Sequence, residues 1–322
     1  VNNIFITGAN SLLGTNLIEL LCQDNYNVYA LVRAKNKYQG KQYNNLFLIE
    51  SNLFDDLSPY LKKCTILVHI AAETRQHLHS AKHYDKINFC ATKTIFETAQ
   101  QCHVKRMIMV STANTLSHGT KDNPGNELKP FRYPFTKSFY AQSKSKAEQY
   151  LKTNSKETEV IFLHPTFMLG AYDHKPSSGK ILFMIWKKKW IFCPKGGKNF
   201  VHVQDVSKAI ISAFSKAKDK EHYLLCNENL TYKEFFKKFN HTTQQKTKII
   251  TVPDFILLFI GFFGDLVRLL QINTSLNSTN MRILYEKNFY SNQKSRSELG
   301  IEYQPVETAI RDALHYFNQK GM

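Results

Sequence analysis

No C-x-x-C pair occurs in this chain, whose six cysteines (Cys22, Cys64, Cys90, Cys102, Cys193 and Cys226) are scattered over 322 residues. That scatter argues against a tetrahedral zinc site and against a dense disulfide framework, so a reduced, cytoplasmic protein is the simplest expectation. There is no internal repeat and no low-complexity linker. The start of the chain has neither a basic n-region nor a small-residue cleavage site, and no signal peptide is expected. Acidic residues are few, 26 against 43 Lys and Arg, which leaves a net charge of +17. The most apolar stretch, Ile249–Leu270, is interrupted by Asp254, Gly264, Asp265 and Arg268. It falls short of the about 20 continuous apolar residues that a bilayer span requires.

What is present is the composition of a globular protein, 43% hydrophobic and 21% charged, which excludes collagen-like, coiled-coil and wholly disordered chains. The lysines are spread along the sequence instead of being gathered into a stripe. They therefore read as compositional bias that also suits an anionic cofactor, and no nucleic-acid partner is expected. Short apolar runs at Asn3–Thr7, Val28–Val32, Leu46–Ile49, Ile66–His69, Met107–Val110 and Val160–Leu163 predict strands. Helical patterns between them, notably Leu12–Gln23, Ala81–Gln101 and Thr136–Asn154, predict crossovers and hence an α/β fold with a doubly wound parallel sheet. After Pro165 the rhythm breaks, although a short strand at Val201–Val203 and a helix at Val206–Ala217 are predicted. We expect residues 1–165 to form the nucleotide-binding domain, with a return to it around 199–226. Residues 166–198 and 227–322 then form most of a smaller C-terminal substrate-binding lobe. Ile249–Leu270, with Lys246 and Lys248 beside it, reads either as a helix covering an apolar pocket or as a weak membrane contact.

The run Thr7-Gly8-Ala9-Asn10-Ser11-Leu12-Leu13-Gly14 joins the first strand to the first helix. A dinucleotide-binding turn needs small residues there so that the chain turns tightly, its backbone approaches the pyrophosphate and the helix packs on the strand. The helix N-terminus offers free N–H groups to the phosphates. Ser11 replaces the usual middle glycine, and its hydroxyl is able to bond a phosphate. The second strand ends Val32-Arg33-Ala34-Lys35 without a carboxylate for the adenosine ribose, whereas Arg33 suits a 2′-phosphate. NADP(H) is therefore favoured, with NAD(H) the alternative.

Tyr140 and Lys144 are spaced i, i+4 in a helical stretch and share one face. A phenol serves as proton donor or acceptor to a carbonyl or alcohol once a neighbouring ammonium brings its pKa down from about 10. The run Val110-Ser111-Thr112 ends a predicted strand, where sheet enzymes place their ligands. A hydroxyl there is able to donate to a substrate oxygen.

Gly8…Gly14, His69-Ile70-Ala71-Ala72, Asn88, Ser111-Thr112-Ala113, Tyr140…Lys144, His164-Pro165-Thr166 and Phe200-Val201-His202-Val203-Gln204-Asp205-Val206 follow one another in the order of the extended short-chain dehydrogenases/reductases. The chain resembles that family over nearly its whole length, most closely the dihydroflavonol reductase, cinnamoyl-CoA reductase and 3β-hydroxysteroid dehydrogenase group. The resemblance implies a Rossmann domain in which Tyr140 is the acid/base, Lys144 lowers its pKa and holds the nicotinamide ribose, and Thr112 orients the substrate oxygen. It carries cofactor contacts onto Gly8, Asn10, Ser11, Leu12, Leu13, Gly14, Arg33, Asn52, Leu53, Ala71, Ala72, Asn88, Tyr140, Lys144, Pro165 and Thr166. Asn52 departs from an aspartate common at its position, and His164 from an arginine.

The expected activity is reduction, by NADPH, of a ketone or aldehyde on an apolar or aromatic small molecule, or the reverse oxidation of the alcohol. The alternatives are a nucleotide-sugar epimerase/dehydratase with tightly held NAD(P), and a non-catalytic NADP-binding regulator. Homodimers are common in the family, and one is among the expectations here. No metal is expected, because His77, His79 and His83 are irregularly spaced and lack a fourth ligand. Phe131, Tyr133, Phe135 and Phe139 are expected partly beneath the catalytic helix and partly against substrate. Lys187–Lys189 between Trp186 and Trp190 read as a solvated helix end, with contact to a substrate phosphate or a membrane as the alternative.

Overall fold

The computed structural model describes residues 3–322. The apolar runs of the first half become β1 (Asn3–Thr7), β2 (Asn27–Val32), β3 (Leu46–Glu50), β4 (Ile66–His69), β5 (Arg106–Val110) and β6 (Glu159–Pro165). Seven further strands follow: β7 (Phe167–Leu169), β8 (Trp190–Cys193), β9 (Gly197–His202), β10 (His222–Leu225), β11 (Glu228–Thr231), β12 (Lys248–Thr251) and β13 (Lys287–Asn288). The main sheet has seven strands in the order β10-β6-β5-β4-β1-β2-β3, each parallel to its neighbours. This is the Rossmann arrangement, with helices on both faces and the order reversing between β1 and β4.

The alternation of side chains along each strand divides the core. Ile4, Ile6, Ile108, Val110, Ile161 and Leu163 face one side, against Leu17 and Leu21 of helix Leu12–Gln23 and Val206 and Ile210 of helix Val203–Lys216. Phe5, Met107, Met109, Val160 and Phe162 face the other, against Ile95 and Phe96 of helix Thr92–Gln101 and Leu151 of helix Phe139–Asn154. Burial on both faces is why these strands read as continuous apolar runs.

A second sheet is built on β9, with β7 and β13 parallel to it and β11 antiparallel. Helices Tyr232–Thr243 and Val306–Gln319 pack there around Phe200, Phe235, Phe236 and Phe317. β8 and β12 form a separate parallel pair.

Three predicted elements are corrected. Ala81–Gln101 is helical throughout, but Asp85–Ala91 widens into π-type turns between Ala81–Tyr84 and Thr92–Gln101. The helix expected from Thr136 begins at Phe139, because the Ser138 hydroxyl caps it by accepting from Ala141 N. The strand expected at Val201–Val203 starts earlier, at Gly197, and stops at His202, where the helix begins.

Candidate active site

The glycine turn is as tight as backbone allows. Gly8 has φ +74°, and a Cβ on it would lie 2.8 Å from Ala71 N; one on Gly14 would lie 2.2 Å from Gly8 O. Both positions admit only hydrogen without movement of the backbone. Ser11 is the N-cap of the first helix, its Oγ accepting from Gly14 N at 3.0 Å. Its oxygen is thus engaged in capping, and only its proton is left for a phosphate. The amides of Leu12 and Leu13 make no hydrogen bond among the described residues, so they remain as donors at the helix N-terminus. A turn with no room for a side chain, opening on free amides, fits a pyrophosphate group.

Asn10 ties the loop after β2 to this turn, donating to Lys37 O at 2.7 Å and accepting from Gln39 N at 3.1 Å. Arg33, at the end of β2, is exposed and makes no ion pair among the described residues. The strand end is not without a carboxylate, however. Glu50 is the register partner of Val32 across β2 and β3, and its carboxylate accepts from Lys35 N at 2.9 Å. It comes from the neighbouring strand, so a reading along β2 alone misses it. Asn52 follows; its backbone and side-chain amides turn onto Asp55. Leu53 packs on the core below.

On the other side of the switch point, Thr7 Oγ1 accepts from the amides of Ile70 and Ala71, both at 3.2 Å, which fixes the Ala71–Ala72 loop against Gly8. Buried His69 bridges Thr7 and Thr92, and desolvation lowers its pKa to about 3, so it is neutral. Asn88 lies against the Glu73 loop. It is fully buried, and its amide is spent on Glu73 O, Glu73 N and the Ser143 hydroxyl. It braces the Glu73 loop to helix Phe139–Asn154. Pro165 ends β6, and Thr166 beyond it donates to Asn199 Oδ1 at 2.7 Å.

Thr112, Tyr140 and Lys144 meet at the carboxyl end of β5. Burial pushes the Tyr140 phenol up to about 12, the Thr112 hydroxyl drawing it back part of the way. The expected effect of Lys144 on that phenol is not found. Its ammonium is buried and donates to Val110 O at 2.7 Å, and desolvation depresses its pKa to about 8. The backbone carbonyl at the end of β5 captures the ammonium, which leaves burial in control of Tyr140.

One turn further along the helix, Glu148 continues the face of Tyr140 and Lys144 and was missed from the sequence. It is buried and accepts from the Ser111 and Thr115 hydroxyls. His164 Nδ1 donates to Thr112 O at 3.0 Å, so its Nε2 accepts from His222 Nδ1 at 2.9 Å. Burial lowers both imidazoles to about 4. Glu148, His164 and His222 lie within metal-binding distance of one another. Only the two imidazoles bond each other directly, however; Glu148 is otherwise paired with the Ser111 and Thr115 hydroxyls and His164 with Thr112 O, so these groups are already partnered in a buried hydrogen-bond network. The i, i+4, i+8 spacing was the signal for Glu148; His222 lies on β10, a strand that the pattern did not disclose.

A narrow cleft beside Tyr140 is walled by Leu78, Ser138, Phe139, Arg268, Asn277 and Asn280. Phe135 of the aromatic run is buried, Tyr133 is half exposed, and only Phe139 borders the cleft. Arg268 is held there by Thr274 O and Gln76 O.

Residues 4–226 match the NAD dependent epimerase/dehydratase family. A candidate dihydroflavonol 4-reductase of Synechocystis sp. is 24% identical over 98% of this chain and 95% of its own. The decarboxylating sterol-4-alpha-carboxylate 3-dehydrogenase of Dictyostelium discoideum is 25% identical over 93% of this chain and 96% of its own. Among solved structures, gox2253 superposes with a TM-score of 0.86 at 24% identity, covering 100% of this chain and 99% of the other. The UDP-glucose 4-epimerase of Thermotoga maritima superposes at 0.74 and 17% identity, covering 99% of this chain and 100% of the other.

Proposed function

This chain belongs to the NAD dependent epimerase/dehydratase family and is an NAD(P)-dependent oxidoreductase of the extended short-chain type; from that premise we propose that it reduces a ketone or aldehyde on an apolar or aromatic small molecule, using NADPH. The observation that carries this reading is the Tyr140 phenol, half-buried in the wall of the cleft and beside the Thr112 hydroxyl. A phenol whose pKa is near 12 keeps its proton at neutral pH, as a donor to a carbonyl oxygen must. Thr112 offers its O–H to the same oxygen as charge develops. NADPH, when bound, supplies the hydride. The Leu12 and Leu13 amides would hold its pyrophosphate, Arg33 its 2′-phosphate and Lys144 its nicotinamide ribose. Relatives named for dihydroflavonol and sterol compounds support an apolar substrate.

Paired titrations with NADPH and NADH, read by nicotinamide fluorescence, followed by a screen of aldehydes and ketones for cofactor oxidation, test the proposal. Tyr140→Phe should keep cofactor binding and lose about 100-fold or more in kcat. An unchanged kcat refutes the role of Tyr140. Turnover without net NADPH consumption refutes the reductase in favour of an epimerase.

A further inference from the structure

Helix Asp254–Leu269 is built inside out for a surface helix. It buries only Leu257, Gly261 and Gly264; Gly261 faces Ser278 and Met281 of helix Ser278–Tyr285, and Gly264 the Leu276–Asn277 backbone that leads into it. Its charged side chains are all tied to the protein: Asp254 to Lys195, Asp265 to Ser278, and Arg268 to Thr274 O and Gln76 O. Its apolar ones point outward. Phe255 is 70% exposed, Phe259 64%, Phe262 58% and Leu269 78%, with Ile256, Leu258, Ile260, Phe263, Leu266 and Val267 each more than a third exposed. At 3.6 residues per turn these residues occupy ~200° of the circumference. At the 150–250 Å² of a large side chain, they present apolar surface on the order of 1,000 Å², well beyond the ~300–600 Å² of an ordinary monomer's largest patch.

The surroundings of the patch identify its occupant. β12 runs directly into this helix and pairs with β8, whose Trp190 (57% exposed) and Phe192 (52%) extend the apolar surface. Lys187, Lys188, Lys189, Lys246 and Lys248, all exposed, gather at the N-terminal end of that parallel strand pair. Five lysines and a tryptophan bordering phenylalanines and leucines are the composition of an interface-lying anchor with anionic headgroups at its edge. A second copy of the chain seated on this face would bring two lysine-edged surfaces of like charge together. No helix among the described residues is long and apolar enough to cross a membrane, so the contact lies on one leaflet. Its inner end walls the cleft beside Tyr140 through Arg268.

We propose that helix Asp254–Leu269, together with the Trp190–Phe192 strand face, docks this protein on the surface of an anionic lipid bilayer. The test is flotation of the full chain with phosphatidylcholine vesicles, with and without phosphatidylglycerol. The wild type should float with phosphatidylglycerol vesicles. A Lys187→Gln/Lys188→Gln/Lys189→Gln variant should bind them about a hundredfold more weakly, at roughly 1 kcal/mol per lysine near a charged surface. A Phe259→Ser/Phe262→Ser variant should stay at the bottom of the gradient while its circular dichroism and thermal midpoint match the wild type, since neither side chain is in the core. Wild-type protein that fails to float with phosphatidylglycerol vesicles overturns the proposal, as does a double variant that floats undiminished. A micromolar dimer in size exclusion that Phe259→Ser/Phe262→Ser dissociates assigns the face to a second copy and likewise overturns it.

Discussion

Replacing Lys144 by Met should stabilise the protein at neutral pH, although Lys144 belongs to the proposed catalytic set. Its ammonium is 1% exposed and its pKa falls from 10.5 to about 8, with burial the larger cause and the Glu148 carboxylate opposing it. A fall of that size corresponds to ~3 kcal/mol at 1.36 kcal/mol per unit. The sign follows from proton counting. Between pH 8 and 10.5 the unfolded chain holds a proton that the folded chain has lost, so stability rises with pH through that window. Below pH 8 both states are charged and folding carries the whole penalty. Methionine nearly conserves the volume and removes the charge, but it deprives Val110 O of its donor, a loss of about 1–2 kcal/mol. The net gain at pH 7 is on the order of 1–2 kcal/mol, a rise of ~2 °C in Tm for a chain of this length. At pH 10 the advantage should vanish or reverse. Thermal unfolding of both proteins at the two pH values measures it, since groups common to both cancel in the difference. A variant less stable than wild type at pH 7, or a difference unaltered by pH, refutes the account of a buried, strained ammonium.

Gly14→Ala should weaken NADPH binding and lower Tm, because the added Cβ meets Gly8 O at 2.2 Å; overpacking of ~1–3 kcal/mol outweighs the ~1 kcal/mol helix gain of alanine. Fluorescence titration and a melt check both parts. Arg33→Ala should weaken NADPH by about ten- to a hundredfold, the loss of a charged hydrogen bond or two, and leave NADH nearly unchanged. Competitive titration of the two cofactors reads that ratio directly. Glu148→Ala should destabilise by ~2–3 kcal/mol because the Ser111 and Thr115 hydroxyls lose their buried acceptor, while Glu148→Gln, which keeps an oxygen there, should lose less than half as much. Chemical denaturation of the two variants side by side distinguishes them.

The main sheet was legible because its strands are buried on both faces and leave uninterrupted apolar runs. β1 and β4 fall at the expected residues, and the other early strands within one or two. β10 was hidden: its four residues begin with His222, whose partner is another histidine, and no apolar pattern marks that. The start of helix Phe139–Asn154 was blurred because Thr136 and Ser138 both have capping hydroxyls, and only the geometry at Ala141 N selects Ser138. At the site, spacing identified Tyr140 and Lys144 as sharing one face. Spacing alone does not reveal what a long side chain finds at its end. Lys144 finds Val110 O, and Asn88 finds Glu73 and Ser143; each joins a helical residue to an element that spacing along its own helix does not reveal.

Where local preference and structure disagree, the disagreements gather in two places. The first is the carboxyl end of β5 and β6, where Lys144, Glu148 and His164 are buried in positions that apolar side chains would fill with less strain. Lys144 bonds Val110 O, Glu148 the Ser111 and Thr115 hydroxyls and His164 the Thr112 carbonyl, so Thr112 rests against a hydrogen-bonded polar cluster and not against a deformable apolar wall. The second is helix Asp254–Leu269, where phenylalanines occupy positions that water would fill with charge. Stability of the isolated chain accounts for neither. The first follows if the cluster serves to hold Thr112 in place for a ligand, and the second if an apolar surface covers the helix. The two are joined at Arg268, which ends the exposed helix and walls the cleft at Tyr140. A change at the helix surface thereby has a covalent route to the mouth of the cleft. Vesicle binding should then alter the apparent KM for a carbonyl substrate more than it alters kcat, because Arg268 touches the mouth of the cleft and not the Thr112–Tyr140 pair.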